Sequence, residues 1–447
     1  MTSLTDEIID IAMRPADHVP DLPLDFAKLS LLDWMTCAIA GTGEPLAVKL
    51  RHLAASEAGQ PVASVLGGMR VPPRMAALVN GATSHSLDYD DTHFAHVGHL
   101  SVGIYPAALA IAEMQDASAE EFVTAFLLGA EGAIRVGMTL GREHYNHGFH
   151  QTATAGAFGA TLATGRLLGL DRLQMRHAIG LCATRASGLT SQFGSMGKPY
   201  NAGISAANGV ECSTLAGLGF TSADDGLMGH QGFVGTHLPG RGVTSEPDMA
   251  FDNYLFPDNK YKLHACCHGL HSMIEALKAA KATSGVSLDD INAFSLSTNP
   301  RWLAVCDIKR PRTGLEVKFS YNWLAGMTLR GDDTGDDRLF TDSIAGDAEL
   351  RRFAERVNVA GDADLTDLQT RGEVRFTDGR TIPVWFDLAN PFTPEVLAGR
   401  LQRKSSTIIG EASAAIWNLH HRLGQLGARD IAAALVATST DWETNNR

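Results

Sequence analysis

The sequence is poor in cations and has no stretch in which they gather. Its 447 residues include 37 lysines and arginines against 50 aspartates and glutamates, a formal net charge of −13. Nucleic-acid binding needs clustered lysine and arginine to displace counterions from phosphates. We therefore expect no nucleic-acid partner. A small anionic substrate needs only a few local cations and is compatible with this composition.

Cys-x-x-Cys motifs and nucleotide-binding fingerprints are also missing from the sequence. The six cysteines include no Cys-x-x-Cys pair, so we expect neither a zinc ribbon nor thiol redox chemistry. The stretch GSMGK lacks the leading glycine of a P-loop, and no GxSxG nucleophile elbow occurs. These absences argue against ATP, nicotinamide dinucleotides and serine hydrolase chemistry.

The sequence contains no run of 18 apolar residues that would span a membrane. Its opening stretch, MTSLTDEIIDIAM, carries acids where a signal peptide carries basic residues. The cysteines lie in apolar contexts without regular spacing, which fits a reducing compartment. We expect a cytoplasmic protein with no membrane partner.

Hydrophobic periodicity predicts a mainly α-helical chain with a β-rich insertion. Helical patterns follow one another up to about residue 235, and Ser118 with Glu121 forms a capping-box sequence before one of them. After about residue 285, INAFSLSTN alternates like a strand, and GEVRFTDGRTIPVWFDL predicts a hairpin around Asp378-Gly379. We expect a large all-helical domain built from residues 1–267 and 404–447, with a smaller α+β lid domain at 268–403.

Reactive side chains gather in four segments of this helical sequence. They are HSLDYDDTHFAHVGHLS at 85–101, GREHYNHGFHQT at 141–152, FGSMGKPYNAG at 193–203 and NKYKLHACCHGLH at 259–271. Three interpretations compete: a metal site, an acid–base site, or polar residues that only cap helices. Capping is favoured for any single residue. It weakens for four segments that together place Lys, Asp, Tyr and His in glycine-bounded loops.

Histidine spacing gives only weak support for a metal site. Two triplets repeat at intervals of three, namely His93, His96 and His99, then His144, His147 and His150. On a continuous helix, residues three apart drift by about 60° at each step, so three of them cannot converge on one ion. No HExxH motif accompanies them. We expect no metal.

A metal-free acid–base site fits the same residues. Removing a proton next to a carboxylate leaves negative charge that cations or hydrogen-bond donors must stabilise. Lys198 and Lys262 lie among apolar and small residues. Desolvation in such surroundings can turn a lysine into a base, and histidine needs little tuning. The composition suits proton transfer on a polycarboxylate but does not identify the carbon.

Four motifs, in the same order, resemble those of the MmgE/PrpD family. They are NGATSHSLDYDDTH, GFHQT, GKPYNAG and KLHACCHGLHSMIEA, and the resemblance extends over essentially the whole chain. It implies a large helical domain, a smaller α+β lid, a homodimer, and no metal or organic cofactor.

The resemblance also implies which residues form the site. Carried over by motif, the family's site residues fall on Asp88, Thr92, His99, His150, Lys198 and Lys262. The remaining ionisable residues of the first segment are interpreted as its structural surround, namely Asp90, Asp91, His93 and His96.

Several positions depart from the family pattern. Gln151 stands where many members have proline, and Lys262-Leu263-His264 replaces the usual Lys-Pro-Tyr. His268 replaces an arginine, and Trp323, with Tyr321 nearby, replaces a tyrosine that the decarboxylases of the family use. These departures favour an activity other than decarboxylation of cis-aconitate or dehydration of methylcitrate.

Within the family, the chain as a whole most resembles the iminodisuccinate epimerases. This implies proton removal and return at a carbon next to a carboxylate, on a small substrate with two to four carboxylates. Our hypothesis pairs Lys198 or Lys262 with Tyr145 or His99 as two bases on opposite faces. The remaining lysine would bind carboxylates. The other substrate-binding candidates are Asp88, Thr92, His150 and His268.

The alternative is a lyase of the same family, such as 2-methylcitrate dehydratase or cis-aconitate decarboxylase. Such a lyase would use a similar carbanion-like step. A binding protein without activity is least favoured, because so many ionisable residues occur together.

Overall fold

The computed structural model describes residues 3–57, 59–238, 253–284 and 287–445. The chain forms two compact units. The first, here called the helical unit, comprises Met1–Tyr261 and Pro394–Arg447. The second, here called the inserted unit, comprises Lys262–Thr393. Helices dominate, and the described strands form small sheets, so the predicted mainly α fold is confirmed.

The secondary structure follows the chain in this order. The α-helices are α1 Leu4–Ala12, α2 Asp21–Ala40, α3 Pro45–Glu57, α4 Pro73–Ser84, α5 Ser101–Gln115, α6 Ala119–Asn146, α7 Thr154–Leu167, α8 Arg172–Arg185, α9 Gly197–Gly217, α10 Phe233–His237, α11 His271–Ser284, α12 Pro300–Cys306, α13 Gly314–Val317, α14 Tyr321–Arg330, α15 Asp342–Ala345, α16 Ala348–Ala354, α17 Pro394–Ile409, α18 Ala412–His421 and α19 Ala428–Asn445. The strands are β1 Ala63–Val65, β2 Met69–Val71, β3 Ile291–Thr298, β4 Val357–Gly361, β5 Gln369–Phe376 and β6 Thr381–Asp387.

Small residues let the central helices of the helical unit approach closely, as their composition predicts. A Cβ atom on Gly81 of α4 would lie 3.0 Å from the Cα of Gly203 on α9. A Cβ atom on Gly129 of α6 would lie 2.5 Å from the carbonyl oxygen of Gly159 on α7. Such contacts leave no room for a larger side chain without backbone movement. These helices frame the loops that carry the first three reactive segments.

Helix α6 begins and ends with features that the sequence encodes. Ser118 and Glu121 form the expected capping box, with the Glu121 amide donating to Ser118 Oγ at 3.1 Å. Near its other end, Gly141 has a φ of +63° and kinks the helix. Gln151 donates to the carbonyl oxygens of Gly137 and Gly141, at 3.0 and 3.2 Å. Gln151 thus braces the kinked end of α6 beside the second segment.

Among the described residues, α6 is also the one helix long and apolar enough to cross a membrane by length and composition. Of its most apolar window, 89% is buried inside the protein.

The inserted unit is built on a four-stranded sheet of order β4-β3-β5-β6. β3 pairs with β4 in parallel and with β5 antiparallel, and β5 pairs antiparallel with β6. The strand at INAFSLST and the hairpin at Asp378-Gly379 are both as predicted. Gly379 has a φ of +89°, which a turn between these strands favours. Helix α11 packs against β5 and β6.

The units divide earlier in the chain than the predicted limits of 267/268 and 403/404. The inserted unit begins at Lys262, and α17 begins at Pro394, directly after it. Proline is favoured at the first position of a helix, since it has no N–H to leave unsatisfied. α17 packs along α2 and therefore belongs to the helical unit.

Candidate active site

The first reactive segment forms an irregular loop between α4 and α5, which Asp91 fixes in place. The buried Asp91 carboxylate accepts hydrogen bonds from the Ser101 amide at 3.2 Å and the Ser101 hydroxyl at 2.5 Å. Asn259 donates to it at 2.7 Å. Burial, and then the neighbouring Asp90, raise the pKa of Asp91. Asp91 therefore ties the loop to the first turn of α5.

His93 and His96 also hold the loop rather than converge on one point. His93 Nε2 lies 3.0 Å from the carbonyl oxygen of Leu255, and the His96 amide donates to His93 Nδ1 at 3.2 Å. His96 Nδ1 lies 3.0 Å from the carbonyl oxygen of Ala133. Burial lowers the pKa of His93 to about 4 and that of His96 to about 3, so both rings are neutral near pH 7.

Asp90 lies between His85 and His99. Asp90 Oδ1 accepts from His85 Nδ1 at 2.7 Å, and Asp90 Oδ2 lies 2.8 Å from His99 Nδ1. His99 Nδ1 also lies 2.6 Å from the carbonyl oxygen of Asp91. Although burial opposes ionisation, the two histidines hold the pKa of Asp90 well below its usual range. The sequence interpretation placed Asp90 in the structural surround, whereas it contacts a predicted catalytic histidine.

These contacts determine which nitrogen of His99 can act as a base. Both neighbours of Nδ1 are hydrogen-bond acceptors, so Nδ1 carries the proton in the neutral ring. Nε2 is then the nitrogen with the free lone pair. It lies 3.7 Å from Oδ1 of Asp88. Acceptors that fix one tautomer in this way leave the opposite nitrogen ready to take a proton.

Asp88 and Lys198 form the solvent-accessible part of the group. Lys198 Nζ lies 2.6 Å from Asp88 Oδ1, and 41% of the Asp88 side chain is exposed against 15% for Lys198 and 11% for His99. Lys198 comes from the first turn of α9. Asp88 has a φ of +51°, a left-handed conformation that an aspartate tolerates better than most residues. This backbone turn brings the carboxylate to the lysine.

His150 follows α6 and completes the group in the helical unit. Its amide donates to the carbonyl oxygen of Gly188 at 3.0 Å, and the Asn201 side-chain amide donates to its Nδ1 at 3.1 Å. Burial, followed by the charge of Lys198, holds the pKa of His150 well below its usual range. The neutral ring therefore has its proton on Nε2 and can donate one hydrogen bond from that atom.

Thr92 and Tyr145, two further predicted site residues, have contacts with other residues of the helical unit. Thr92 forms a bridge with Lys260, with N–H···O distances of 2.7 and 2.9 Å, and its hydroxyl is buried without a hydrogen-bond partner among the described residues. The Tyr145 ring lies 6.3 Å from the ring of Phe193. Phe193 in turn lies 5.0 Å from the His150 ring and 5.6 Å from Lys198 Nζ.

The structure thus brings four of the sequence-predicted residues together in the helical unit and adds three more. The predicted members are Asp88, His99, His150 and Lys198, and the added members are His85, Asp90 and Asn201. Asn201 lies three residues after Lys198 on α9, and this spacing places both on one face of a helix. That signal was present in the sequence. His85 and Asp90 had none, because their pairing depends on the path of the loop.

The fourth segment is divided between the units, and its residues from Lys262 onward form a histidine cluster within the inserted unit. His264 lies 2.9 Å from Glu275 through Nε2 and 2.8 Å from the Thr334 hydroxyl through Nδ1. The His271 ring lies 5.0 Å from that of His264 and 4.6 Å from that of His268. Burial, and then His268, hold the pKa of His271 well below its usual range.

The two proposed site residues of this cluster, Lys262 and His268, are both buried. Lys262 lies close enough to lower the pKa of His271 further. The departures from the family pattern at His264 and His268 therefore belong to one network of imidazoles around a lysine.

Tyr321 and Trp323 are buried in the core of the inserted unit. The Tyr321 hydroxyl donates to the carbonyl oxygen of Gly269 at 2.9 Å and lies 3.1 Å from the Thr298 hydroxyl. The Trp323 indole N–H donates to the carbonyl oxygen of Ile344 at 3.0 Å. Both side chains are buried, and their polar atoms form hydrogen bonds within the unit.

Four residues of the helical unit have the spacing that a metal ion needs. Ligand atoms of His85, Asp88, Asp90 and His99 all lie within 4.8 Å of one another. Several of the possible ligand atoms already have partners, although His85 Nε2 and Asp90 Oδ2 are buried without a hydrogen bond among the described residues. Asp90 binds the two histidines, and the Lys198 ammonium occupies the Asp88 carboxylate. An incoming cation at Asp88 would have to displace the Lys198 ammonium. The arrangement therefore fits a lysine better than a metal as its cation.

Comparisons with known proteins agree with the four motifs. The MmgE/PrpD N-terminal domain model matches residues 11–246, and the C-terminal domain model matches residues 264–416. Cis-aconitate decarboxylase of Aspergillus terreus is 30% identical over 295 residues, which span 62% of this chain and 60% of the relative. Cis-aconitate decarboxylase of Homo sapiens is 28% identical over 214 residues, 45% of this chain and 43% of the relative. The alignments thus span three fifths or less of these relatives, whereas the two domain models together match most of the chain, which belongs to the MmgE/PrpD family.

Proposed function

We propose that this protein is a lyase that acts on a small polycarboxylate without a metal or organic cofactor, and that decarboxylation of a cis-aconitate-like substrate is its reaction. The relatives named above are cis-aconitate decarboxylases, which supports a lyase more than the epimerase favoured by the sequence resemblance. The observation that carries the proposal is the His99 lone pair on Nε2, held beside the Asp88–Lys198 pair.

The group in the helical unit offers the parts that such a reaction requires. Lys198 supplies a cation, and the neutral His150 supplies an N–H donor, so together they can bind a substrate carboxylate. His99 supplies a proton acceptor whose tautomer is fixed by the Asp91 carbonyl, with the Asp90 carboxylate beside it. Because Asp88 is partly exposed, a substrate carboxylate can compete with it for the Lys198 ammonium.

The chemistry balances without an external electron carrier. The carbon–carboxyl bond breaks, carbon dioxide leaves, and the bonding electron pair remains on the substrate as a carbanion delocalised over an adjacent double bond. His99 Nε2, which first takes up a proton from solvent, or the Lys198 ammonium then delivers a proton to the carbanion and forms the new C–H bond. The Lys198 charge stabilises the transient anion, an interaction that gains strength as negative charge develops.

Lys262, which the resemblance implies as a site residue, and His268, a substrate-binding candidate from the sequence, remain proposals. Both are buried beside neutral imidazoles in the inserted unit, where a lysine can hold an anionic group strongly. A homodimer and a cytoplasmic location, also implied by the sequence, remain predictions.

Epimerisation of iminodisuccinate is the second candidate, and one observation favours it. The residue in place of the decarboxylase tyrosine, Trp323, and the neighbouring Tyr321 both use their polar atoms inside the core of the inserted unit. An epimerase would use His99 or a lysine to remove a proton and a second base to return one. Tyr145 is the proposed second base, and Tyr145→Phe should then abolish exchange at one face only.

A substrate panel separates the two candidates. The EDTA-treated protein would be given cis-aconitate, 2-methylcitrate and iminodisuccinate in deuterated water and followed by proton NMR. Release of carbon dioxide from cis-aconitate supports the decarboxylase, and formation of an alkene from 2-methylcitrate supports a dehydratase within the lyase proposal. Deuterium entry at the methine carbon of iminodisuccinate, with no loss of mass, supports the epimerase. Folded protein that is inert with all three compounds would contradict both candidates.

A further inference from the structure

A buried lysine outside the group described above contacts its loop directly. Lys404 lies on α17, in the stretch that returns to the helical unit, and only 4% of it is exposed. Its Nζ lies 2.5 Å from Oδ1 of Asp33 on α2 and 2.6 Å from the main-chain carbonyl oxygen of Tyr89. The ammonium also lies 4.4 Å from the centroid of the Tyr89 ring. A charge, a carbonyl and an aromatic face thus meet in the interior.

A buried ion pair such as that of Lys404 and Asp33 often adds little to the stability of a fold. A buried ion pair loses the hydration of both charges, and well-packed apolar residues of similar volume often serve a fold equally well. The carboxylates of Asp33 and Asp90 nevertheless raise the pKa of Lys404 although burial opposes them. The lysine therefore stays charged and can polarise and hold the Tyr89 carbonyl.

The position of Tyr89 explains why this carbonyl matters. Tyr89 stands between Asp88, which has the left-handed φ and binds Lys198, and Asp90, which contacts His85 and His99. A peptide unit is planar, so a fixed Tyr89 carbonyl also fixes the amide of Asp90. The Tyr89 ring is 1% exposed and lies under the ammonium. Both the main chain and the side chain of Tyr89 are therefore held by one lysine.

We propose that Lys404, anchored by Asp33, is a positioning residue that holds the Tyr89 peptide and thereby sets Asp88 and Asp90 against Lys198 and His99. This inference rests on the proposed function for its effect on turnover, but its effect on the loop does not depend on the reaction. It means that the C-terminal stretch of the chain takes part in assembling the site.

The helical unit contains a matched control for this role. Arg51 on α3 is also buried, donates to the carbonyl oxygen of Thr42 at 2.9 Å and binds Glu443 of α19 at 2.8 Å. It thus combines a carboxylate and a main-chain carbonyl as Lys404 does, but its carbonyl partner lies outside the loop. Arg51→Met measures the cost of losing a buried cation without disturbing Tyr89.

The test compares Lys404→Met, the charge-neutral double variant Asp33→Leu/Lys404→Met, the conservative Lys404→Arg, and Arg51→Met. Two readouts are used: the kcat and KM of the reaction detected in the wild type, and the imidazole ¹⁵N shifts of His99. The double variant keeps the experiment informative if Lys404→Met alone does not fold, since no unpaired charge remains.

The expected result is a fall in kcat of about 100-fold in the double variant with a smaller change in KM, since a displacement of about 1 Å can cost that much. The His99 ¹⁵N shifts should move in the same variant. Lys404→Arg should restore part of the loss, and Arg51→Met should change neither readout.

Failure of the proposed function can be told apart from failure of the positioning role of Lys404. If the wild type is inert with every substrate but the His99 shifts move only in the Lys404 variants, the proposed function fails and the positioning role stands. If the folded double variant keeps wild-type kcat and wild-type His99 shifts, Lys404 has no positioning role. A loss of the same size in Arg51→Met would also overturn the inference.

Discussion

Lys198 forms an ion pair with Asp88, with 2.6 Å between Nζ and Oδ1, although the two residues come from separate segments of the sequence. The pair is partly open to solvent, whereas the neighbouring Asp90 and His85 are fully enclosed. Because the Asp88–Lys198 pair is accessible, a substrate carboxylate can replace that of Asp88. The buried Asp90 and His85 lie beside the pair and are shielded from solvent. The predictions below follow from this arrangement.

Replacing Lys198 should remove most of the activity. Lys198→Met deletes the cation that binds and stabilises negative charge, and loss of one such electrostatic contact typically lowers kcat by about 100- to 1000-fold. Steady-state kinetics with the active substrate would measure it. Lys28→Met is the matched control, because Lys28 pairs with Asp25 on the surface, with 43% and 47% of the two side chains exposed. Equal rates for the two variants would contradict the role of Lys198.

Asp90→Asn should impair His99 without removing it. An amide carries no negative charge, so the new side chain could still accept from His85 Nδ1 but would lose the ionic contact with His99 Nδ1. Because the Asp91 carbonyl still accepts from His99 Nδ1, the fall in kcat should be smaller than the loss of about 10⁴-fold that follows when the acceptor of a catalytic histidine is removed. Kinetics together with imidazole ¹⁵N shifts would test this, with the exposed Asp378→Asn as the control. A variant with normal rate and an unchanged His99 tautomer would show that Asp90 is only structural.

Stability should fall as the pH drops from about 6.5 to about 4. Burial lowers the pKa of His93 from 6.5 to about 4, so the folded ring is neutral where the unfolded one takes up a proton. The unfolded state then binds more protons, which makes stability rise with pH in this window. For His93 the full difference is roughly 3 kcal/mol in the free energy of unfolding.

Urea unfolding at several pH values would measure this dependence. His93→Gln should reduce the slope between pH 6.5 and 4, and the exposed His52→Gln should leave it unchanged. Protonation would also break the hydrogen bond from the His96 amide to His93 Nδ1. A slope that does not respond to His93→Gln would contradict the neutral, structural state of this ring.

Chelation should leave the activity intact. The Lys198 ammonium already neutralises Asp88, and a metal ion bound there would have to displace it. Dialysis against EDTA should therefore change kcat by less than about twofold, within the effect of an ordinary surface change. Loss of activity that one divalent ion restores would show instead that His85, Asp88, Asp90 and His99 form a metal site.

The sequence predicts the fold well where local pattern decides it. The capping box at Ser118, the hairpin at Asp378-Gly379 and the strand at Ile291–Thr298 are all present, because each depends on residues a few positions apart. The limits of the inserted unit were placed too late. The reason is that the assignment of α17 to the helical unit depends on its packing against α2, which periodicity does not show.

The site is predictable in part for the same reason. Family motifs locate Asp88, His99 and Lys198, and the structure brings them together. The sequence does not reveal that Asp90 bridges two histidines or that Lys404 reaches Tyr89, since these contacts depend on an irregular loop and a distant helix. Short-range spacing carries little information about such pairings.

The most direct test of the central claim follows the proton on the substrate. EDTA-treated wild type and His99→Gln would each be incubated with cis-aconitate in deuterated water, and the product examined by proton NMR and mass spectrometry. We predict carbon dioxide release by the wild type, one solvent deuterium on carbon in the product, and a loss of about 100-fold or more in His99→Gln, within the range of a general acid–base group. Equal rates for the two proteins, or a product without solvent deuterium, would contradict a lyase mechanism in which His99 moves the proton.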